Sequence, residues 1–264
     1  VDETEKEISS MRKKYFSLVQ FCDFNLGRVL DFMDANGMWE DTMLIVNTDH
    51  GFSLGEHDWW GKNHVLDYQE IVHTPLYIWD PRYRVAGENR GQLVQTIDLA
   101  PTILEFFGVS VPETMLGKPL GGVVQEGMKI RKYGIFGYCG SVINVTDGRY
   151  VYMRTVRMPE KPLTECTLMP TRLHGFMSDG ELKGARLSNK YGFTKGYPVL
   201  EVPAMARVGK GKLTKDLLFD LWQDPGQEHP IVDETVEARM CGALVRIMRE
   251  NEAPEDLYQR FGLD

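Results

Sequence analysis

The sequence predicts an α/β protein followed by a small antiparallel sheet with a covering helix, and three observations carry that prediction. A long helix-period stripe opens the chain. Short β-branched runs bounded by turn residues alternate with helical segments as far as about residue 128. Beyond that point closely spaced strand patterns take over.

The elements follow in order. Met11, Tyr15, Leu18, Cys22, Leu26, Val29 and Met33 step by three or four, the period of one helix face. Thr4 and Glu7 have capping-box spacing at the start, and Gly37 supplies a left-handed stop, so the spacing predicts a helix over roughly residues 4–36. Its stripe reads as core packing and not as a partner site. Thr42 to Asp49 is a short apolar run whose β-branched content suits a strand buried on both faces, as in a parallel sheet. Thr74 to Trp79, halted by Asp80-Pro81, reads as a second strand, and Leu93 to Thr96 as a short third. A helix over about 98–107 carries Pro101 in its first turn. In the second part, Tyr133–Tyr138, Ser141–Val145 and Arg149–Thr155 read as strands, the last two joined by an Asp147-Gly148 turn. Residues 158–214 read mostly as loop, Leu217–Trp222 as a strand, Val232–Arg249 as a helix, and Pro254 opens a last short helix. The expected division is 1–128 and 129–264.

Composition narrows the function. In 264 residues, 30 Lys+Arg stand against 38 Asp+Glu, a formal charge of −8. That balance argues against a nucleic-acid binder, which needs a basic face. Hydrophobic residues at 42% and charged residues at 26% are ordinary for a packed protein. Four cysteines, Cys22, Cys139, Cys166 and Cys241, are too few and too far apart for a disulfide framework or a zinc knuckle, and read as reduced, mostly buried thiols. No apolar run approaches the ~20 residues that span a bilayer. The first fourteen residues are charged and helix-forming, unlike a signal peptide. Together these favour a cytoplasmic setting, with a periplasmic or secreted one left open because the chain begins with Val and reads as a fragment or a processed product.

Four of the six histidines, His50, His57, His64 and His73, fall between residues 50 and 73, together with Asp49, Glu56, Asp58 and Lys62. The stretch begins where a strand ends, the usual address of a ligand site in an open α/β sheet. Asp49 offers a hard oxygen and His50 an imidazole nitrogen, and Gly51 lets the backbone turn at once. The pair could hold a divalent cation, although two ligands are too few alone. The triplet is equally compatible with a plain strand-to-loop turn in which His50 bonds a carbonyl. Lys62, across a glycine-punctuated loop, is a compact charge that could return to the same point and meet an anion. A cation with a lysine is the arrangement that stabilises charge on a transferring sulfuryl or phosphoryl group.

The words Thr48-Asp-His-Gly-Phe-Ser-Leu-Gly-Glu-His-Asp-Trp-Trp-Gly-Lys-Asn63 closely resemble the C-terminal metal-and-lysine segment of the sulfatases, in the alkaline phosphatase superfamily. Cys22 to Asp31, Gly37 to Ile45, Thr74 to Ile78, Ile97 to Leu104 and Leu218 to Pro225 resemble family words around it. The resemblance implies part of an alkaline-phosphatase-like doubly wound sheet followed by the antiparallel-sheet and helix subdomain. It implies that Asp49 and His50 are two ligands of one divalent cation, calcium foremost, with magnesium or manganese in relatives. Lys62 would contact the sulfate oxygens and the bridging oxygen of a sulfated small molecule or sugar.

The family's nucleophile is a formylglycine made from Cys or Ser in a Cys/Ser-x-Pro-x-Arg word, and this sequence has none. Cys166-Thr-Leu-Met-Pro170 puts proline four residues after cysteine where the word needs two, so Cys166 is rejected as nucleophile. The resemblance therefore implies the C-terminal part of a sulfuric ester hydrolase, inactive without its N-terminal half, with an exposed apolar patch where that half would pack. A phosphonate monoester or phosphodiester hydrolase, and a non-catalytic binding module derived from the fold, are the alternatives.

Smaller features complete the reading. His57 and His64 could orient substrate or protonate a leaving group, His73 reads as structural, and Trp59 and Trp60 could line a substrate mouth. Asn144-Val-Thr146 is a glycosylation sequon. Arg154, Arg157, Arg172 and His174 could hang over the site and read an anionic substrate.

Overall fold

In a computed structural model of the protein, described over residues 3–62, 66–138, 140–172, 174–204 and 213–263, the opening helix α1 (Glu5–Ala35) starts at the expected capping box. The Glu7 carboxylate accepts from the Thr4 N–H at 2.8 Å and from its hydroxyl at 2.6 Å, while the Glu7 N–H donates back to the hydroxyl at 3.4 Å. Gly37 follows in the left-handed conformation, φ 63°. Among the described residues, however, the stripe is covered only in part, with Tyr15 and Leu26 half-buried. Met33 is buried, but Leu18 is 64% exposed, Met11, Cys22 and Val29 are open too, and Phe21 and Phe24 beside them are 64% and 65% exposed. These exposures overturn the reading of the stripe as core.

Strands β1 (Leu44–Asn47) and β4 (Leu76–Trp79) pair with each other antiparallel, Leu44 opposite Trp79 and Asn47 opposite Leu76. The parallel, doubly buried setting expected for the first of them is not found, and β1 is half-buried. Parallel pairing would need a crossover between the two, usually a helix. The connection here is instead a hairpin, β2 (Ser53–Leu54) with β3 (Trp60–Gly61), and a single helical turn, α2 (Gln69–Val72). No strand forms at 93–96. The Gln95 N–H donates to the Asp98 carboxylate at 2.8 Å, building a 3-10 turn (Thr96–Asp98) into α3 (Leu99–Phe106) in place of a ladder bond. Asp98, fully buried, also accepts from the Lys118 N–H at 2.8 Å and pairs with Arg131. A short helix, α4 (Gly121–Glu126), follows.

The chain divides into two compact units, the first reaching residue 131 and the second starting at 132, with 65–67 and 112–114 grouped with the second. In the second, β5 (Gly134–Tyr138), β6 (Val142–Thr146), β7 (Tyr150–Thr155) and later β13 (Leu217–Asp220) form an antiparallel sheet in the order β13-β7-β6-β5. The Asp147-Gly148 turn joins β6 to β7, its carboxylate accepting from the N–H groups of Arg149 and Tyr150. Helix α6 (Glu234–Glu250) covers the sheet through Met240, Leu244 and Met248, packed with Val145, Tyr152 and Leu218 and joined by Phe261 of α7 (Glu255–Phe261).

The stretch expected to be mostly loop is not. It holds β8 (Thr164–Thr167), the pair β9 (Thr171–Arg172) and β10 (Gly175–Phe176), a turn of helix α5 (Asp179–Leu182), β11 (Arg186–Ser188) and β12 (Val199–Pro203). The sheet β11-β12-β8 carries little apolar alternation for a sequence to reveal. The buried Glu201 helps hold it, pairing with Arg186 at 2.7 Å and Lys190 at 2.8 Å.

Two further readings change. Cys22 and Cys166 are exposed and Cys241 half-buried, where buried thiols were expected, and Cys139 lies outside the described residues. Asn144 is wholly buried in the middle of β6, so the folded chain cannot present its sequon. Among the described residues no helix is long and apolar enough to cross a membrane.

Candidate functional site

Asp49 and His50 follow directly on β1, and the β2–β3 hairpin brings Lys62 back beside them. With Ser53 opposite Gly61 and Leu54 opposite Trp60, the strand that leaves the pair and the strand that returns lie side by side. The Lys62 Nζ stands 2.5 Å from His50 Nε2, and the same nitrogen is 3.3 Å from Asp49 Oδ2. Residues 49, 50 and 62 therefore meet at one point.

The tautomer of His50 follows from its neighbours. Nδ1 lies 2.8 Å from the Gly51 carbonyl, which can only accept, so Nδ1 carries the proton and the Nε2 lone pair is left to face Lys62. The plain reading, a histidine satisfied by a carbonyl, thus holds for one ring nitrogen, while the other accepts from Lys62. The His50 N–H donates to Asp49 Oδ1 at 3.0 Å. Desolvation pulls the Asp49 carboxyl upward. The His50 ring, the N–H groups of residues 49 and 50 and the Lys62 ammonium outweigh it and hold the carboxyl below its ordinary range. Asp49 is consequently an ionised, largely solvent-open carboxylate at neutral pH.

Gly51 is required by a close approach and not by the freedom to turn. A Cβ there would lie 1.7 Å from the Glu70 carbonyl oxygen, and the Gly51 N–H donates to the Ile71 carbonyl at 2.7 Å. Sequence spacing offered no signal for this contact.

What Asp49 and His50 present fits a divalent cation as two ligands, one hard oxygen and one imidazole nitrogen whose ring is already oriented by the Nδ1 bond to the Gly51 carbonyl. Among the described residues no group of three or more His, Cys, Asp or Glu side chains stands together as a fuller shell.

The remaining candidates separate. His57 stacks on Tyr68. His64 lies outside the described residues. His73 is exposed at the end of α2. Trp59 and Trp60 are half-buried, and the Trp60 indole N–H donates to Glu3 at 3.3 Å. The arginines proposed as substrate readers are held by carboxylates of their own unit. Arg154 and Arg157 both pair with Asp216 at 2.7 Å, and Arg172 with Glu165 and Glu181. His174 is an exposed turn residue. Sequence reasoning missed Arg12 of α1, whose Nε donates to the Leu54 carbonyl at 2.8 Å and so ties the hairpin to the helix.

Comparison with known proteins gives this geometry its context. The Sulfatase family model matches residues 1–109. An N-acetylglucosamine-6-O-sulfatase of Bacteroides thetaiotaomicron is 34% identical over 114 residues, 43% of this chain and 20% of that protein. The multifunctional alkaline phosphatase superfamily protein PehA of Trinickia caryophylli is 38% identical over 125 residues, 47% of this chain and 24% of that protein. Among solved structures, one in complex with its substrate D-glucosamine-2-N,6-O-disulfate superposes with a TM-score of 0.62 at 19% identity, over 90% of this chain and 40% of that one. A phosphonate monoester hydrolase from Silicibacter pomeroyi does so with a TM-score of 0.64 at 21% identity, over 95% of this chain and 43% of that one.

The matches thus cover a fifth to a quarter of these curated relatives' own length. The fold is the corresponding part of the alkaline-phosphatase-like α/β architecture with its antiparallel extension. The Sulfatase family model thus spans the residues 1–109 that contain Asp49, His50 and Lys62.

Proposed function

We propose that the chain is the C-terminal part of a sulfuric ester hydrolase that cleaves sulfate monoesters. The observation that carries this reading is the meeting of the Lys62 ammonium, the His50 Nε2 and the Asp49 carboxylate at the end of β1. Asp49 and His50 would hold a divalent cation, calcium foremost, which supplies positive charge against developing negative charge on the ester. Lys62, the exposed cation of the cluster, binds the sulfate oxygens and stabilises the bridging oxygen as the bond to the alcohol breaks. The nucleophile in this reading is a formylglycine outside these 264 residues, so the chain alone does not turn over sulfate esters. A sulfated sugar is the substrate class favoured by the 34%-identical relative and by the structure bound to a disulfated glucosamine.

A second reading, hydrolysis of phosphonate monoesters or phosphodiesters, is favoured by the 38%-identical PehA and by the phosphonate monoester hydrolase neighbour. A non-catalytic binding module would keep the fold and lose turnover. The full-length protein assayed on 4-nitrophenyl sulfate and on an aryl phosphonate separates the three. The first reading expects a higher kcat/KM on the sulfate, lost in Lys62→Ala. A preference for the phosphonate selects the second, and no turnover of either selects the third.

A further inference from the structure

The segment that delivers Lys62 is too small to hold itself. Strands β2 and β3 have two residues each, and a lone two-stranded hairpin is at best marginal in water. Its position depends on what it leans against. Beside its turn, Arg12 bonds the Leu54 carbonyl, and at its base the rings of Tyr15 and Phe52 stack with centroids 5.7 Å apart. At its tip, His57 and Asp58 adopt φ of 51° and 58°, the left-handed region that few non-glycine residues enter and that His and Asp enter most readily.

The tip packs on the turn around α2. The His57 ring lies flat on Tyr68, centroids 3.5 Å apart and planes within 9°. Its Nε2 faces Glu70 Oε2 at 3.6 Å. Both atoms are shut off from solvent, and among the described residues neither has a hydrogen-bond partner. An imidazole N–H and a carboxylate oxygen are complementary, and leaving either one buried and alone is unfavourable. The same turn also abuts the other end of the loop, since the Glu70 carbonyl lies against Gly51 and the Ile71 carbonyl accepts its N–H. One helical turn therefore braces both the exit of the Asp49–His50 pair and the tip of the hairpin that returns with Lys62.

We propose that His57 and Glu70 are a positioning pair: docking of His57 between Tyr68 and Glu70 fixes the hairpin tip and so keeps the Lys62 ammonium against His50, beside Asp49. Neither residue touches the reacting groups. The role rests on the reading of residues 49, 50 and 62 as an oxyanion site, but its test does not use turnover.

In the full-length protein, kept in chelator at one fixed pH, the ring nitrogen resonances of His50 report whether Lys62 is in place. Lys62→Ala sets the reference for a released lysine. His57→Ala and Glu70→Gln are expected to carry the His50 Nε2 resonance most of the way to that reference while the protein stays folded. His57→Gln, which can still donate to Glu70, should stay nearer wild type. General destabilisation lowers Tm without moving that resonance. Folded His57→Ala and Glu70→Gln proteins with His50 at its wild-type position would overturn the proposal, and the near-isosteric Glu70→Gln decides alone where His57→Ala fails to fold. The expected shifts in a protein that hydrolyses no sulfate ester would keep the positioning pair and remove the sulfatase reading.

Discussion

Gly51→Ala is a single methyl group, yet it should be among the most damaging substitutions in the first unit. Its Cβ would lie 1.7 Å from the Glu70 carbonyl oxygen, 2.8 Å from the Glu70 carbonyl carbon and 3.3 Å from the Ile71 Cα. All three are backbone atoms, so no rotamer change relieves the clash, and the two segments must part. Parting them stretches the Gly51 N–H to Ile71 carbonyl bond, now 2.7 Å. Overpacking of this kind costs about 1–3 kcal/mol and a lost hydrogen bond about 1 kcal/mol, for a total of roughly 2–4 kcal/mol. Gly37→Ala is the control. Gly37 has φ 63° but open space around it, so only the backbone term applies, about 1 kcal/mol. Four of the five tryptophans, Trp39, Trp59, Trp60 and Trp79, lie in the first unit, so urea unfolding followed by tryptophan fluorescence reports mainly on it. A Gly51→Ala protein no less stable than Gly37→Ala would refute the close-approach argument.

Other expectations concern the two units separately. Asp98→Asn leaves Arg131, only 9% exposed, without its carboxylate, and should cost the first unit about 3–5 kcal/mol in the same urea assay. Glu201, hydrogen-bonded first by Lys190 and then, against desolvation, by Arg186, has its carboxyl lowered from 4.5 to about 2. A depressed folded pKa means its contribution is fully present above about 4.5 and is lost as pH falls toward 2, so hydrogen exchange in β11-β12-β8 should accelerate across that window and lose this acid dependence in Glu201→Gln. The open face of α1 predicts that the 264-residue chain self-associates with rising concentration and that Phe21→Glu with Phe24→Glu reduces it. A single monomeric boundary in sedimentation velocity at all concentrations would contradict that.

Elements whose cause is local were readable in advance. The Thr4–Glu7 box, the glycine stop after α1 and the Asp147-Gly148 turn depend on residues within four positions of one another, and each forms as its spacing implies. What depends on distant partners was not readable. An apolar stripe records that a face must be covered but not by which residues, and on α1 the covering layer is not among the described residues. The strands of β11-β12-β8 hide because an ion-paired Glu201 braces them where an apolar alternation would have announced them. At the site, Asp49, His50 and Lys62 could be picked out because they cluster beyond a strand end and because their segment resembles the sulfatase metal-and-lysine words. The bracing by Glu70 and Ile71 could not, because it arises from backbone approach, which leaves only a glycine as its trace.

The His50 ring sets a limit on how the three site residues can act together. Its Nδ1 proton is committed to the Gly51 carbonyl, so Nε2 has one lone pair, and here Lys62 donates to it at 2.5 Å. That lone pair is also what a divalent cation would use, and it cannot serve both. In the proposed reading, where Asp49 and His50 would hold a cation, Lys62 would release His50 and be free to meet the sulfate ester, so the two roles would be coupled. Reductive methylation of the full-length protein, read by peptide mass spectrometry, should label Lys62 several-fold faster with calcium than in chelator, and that difference should disappear in His50→Ala. Equal labelling in calcium and chelator, with calcium binding confirmed by calorimetry, would show that Lys62 and the cation do not compete for His50.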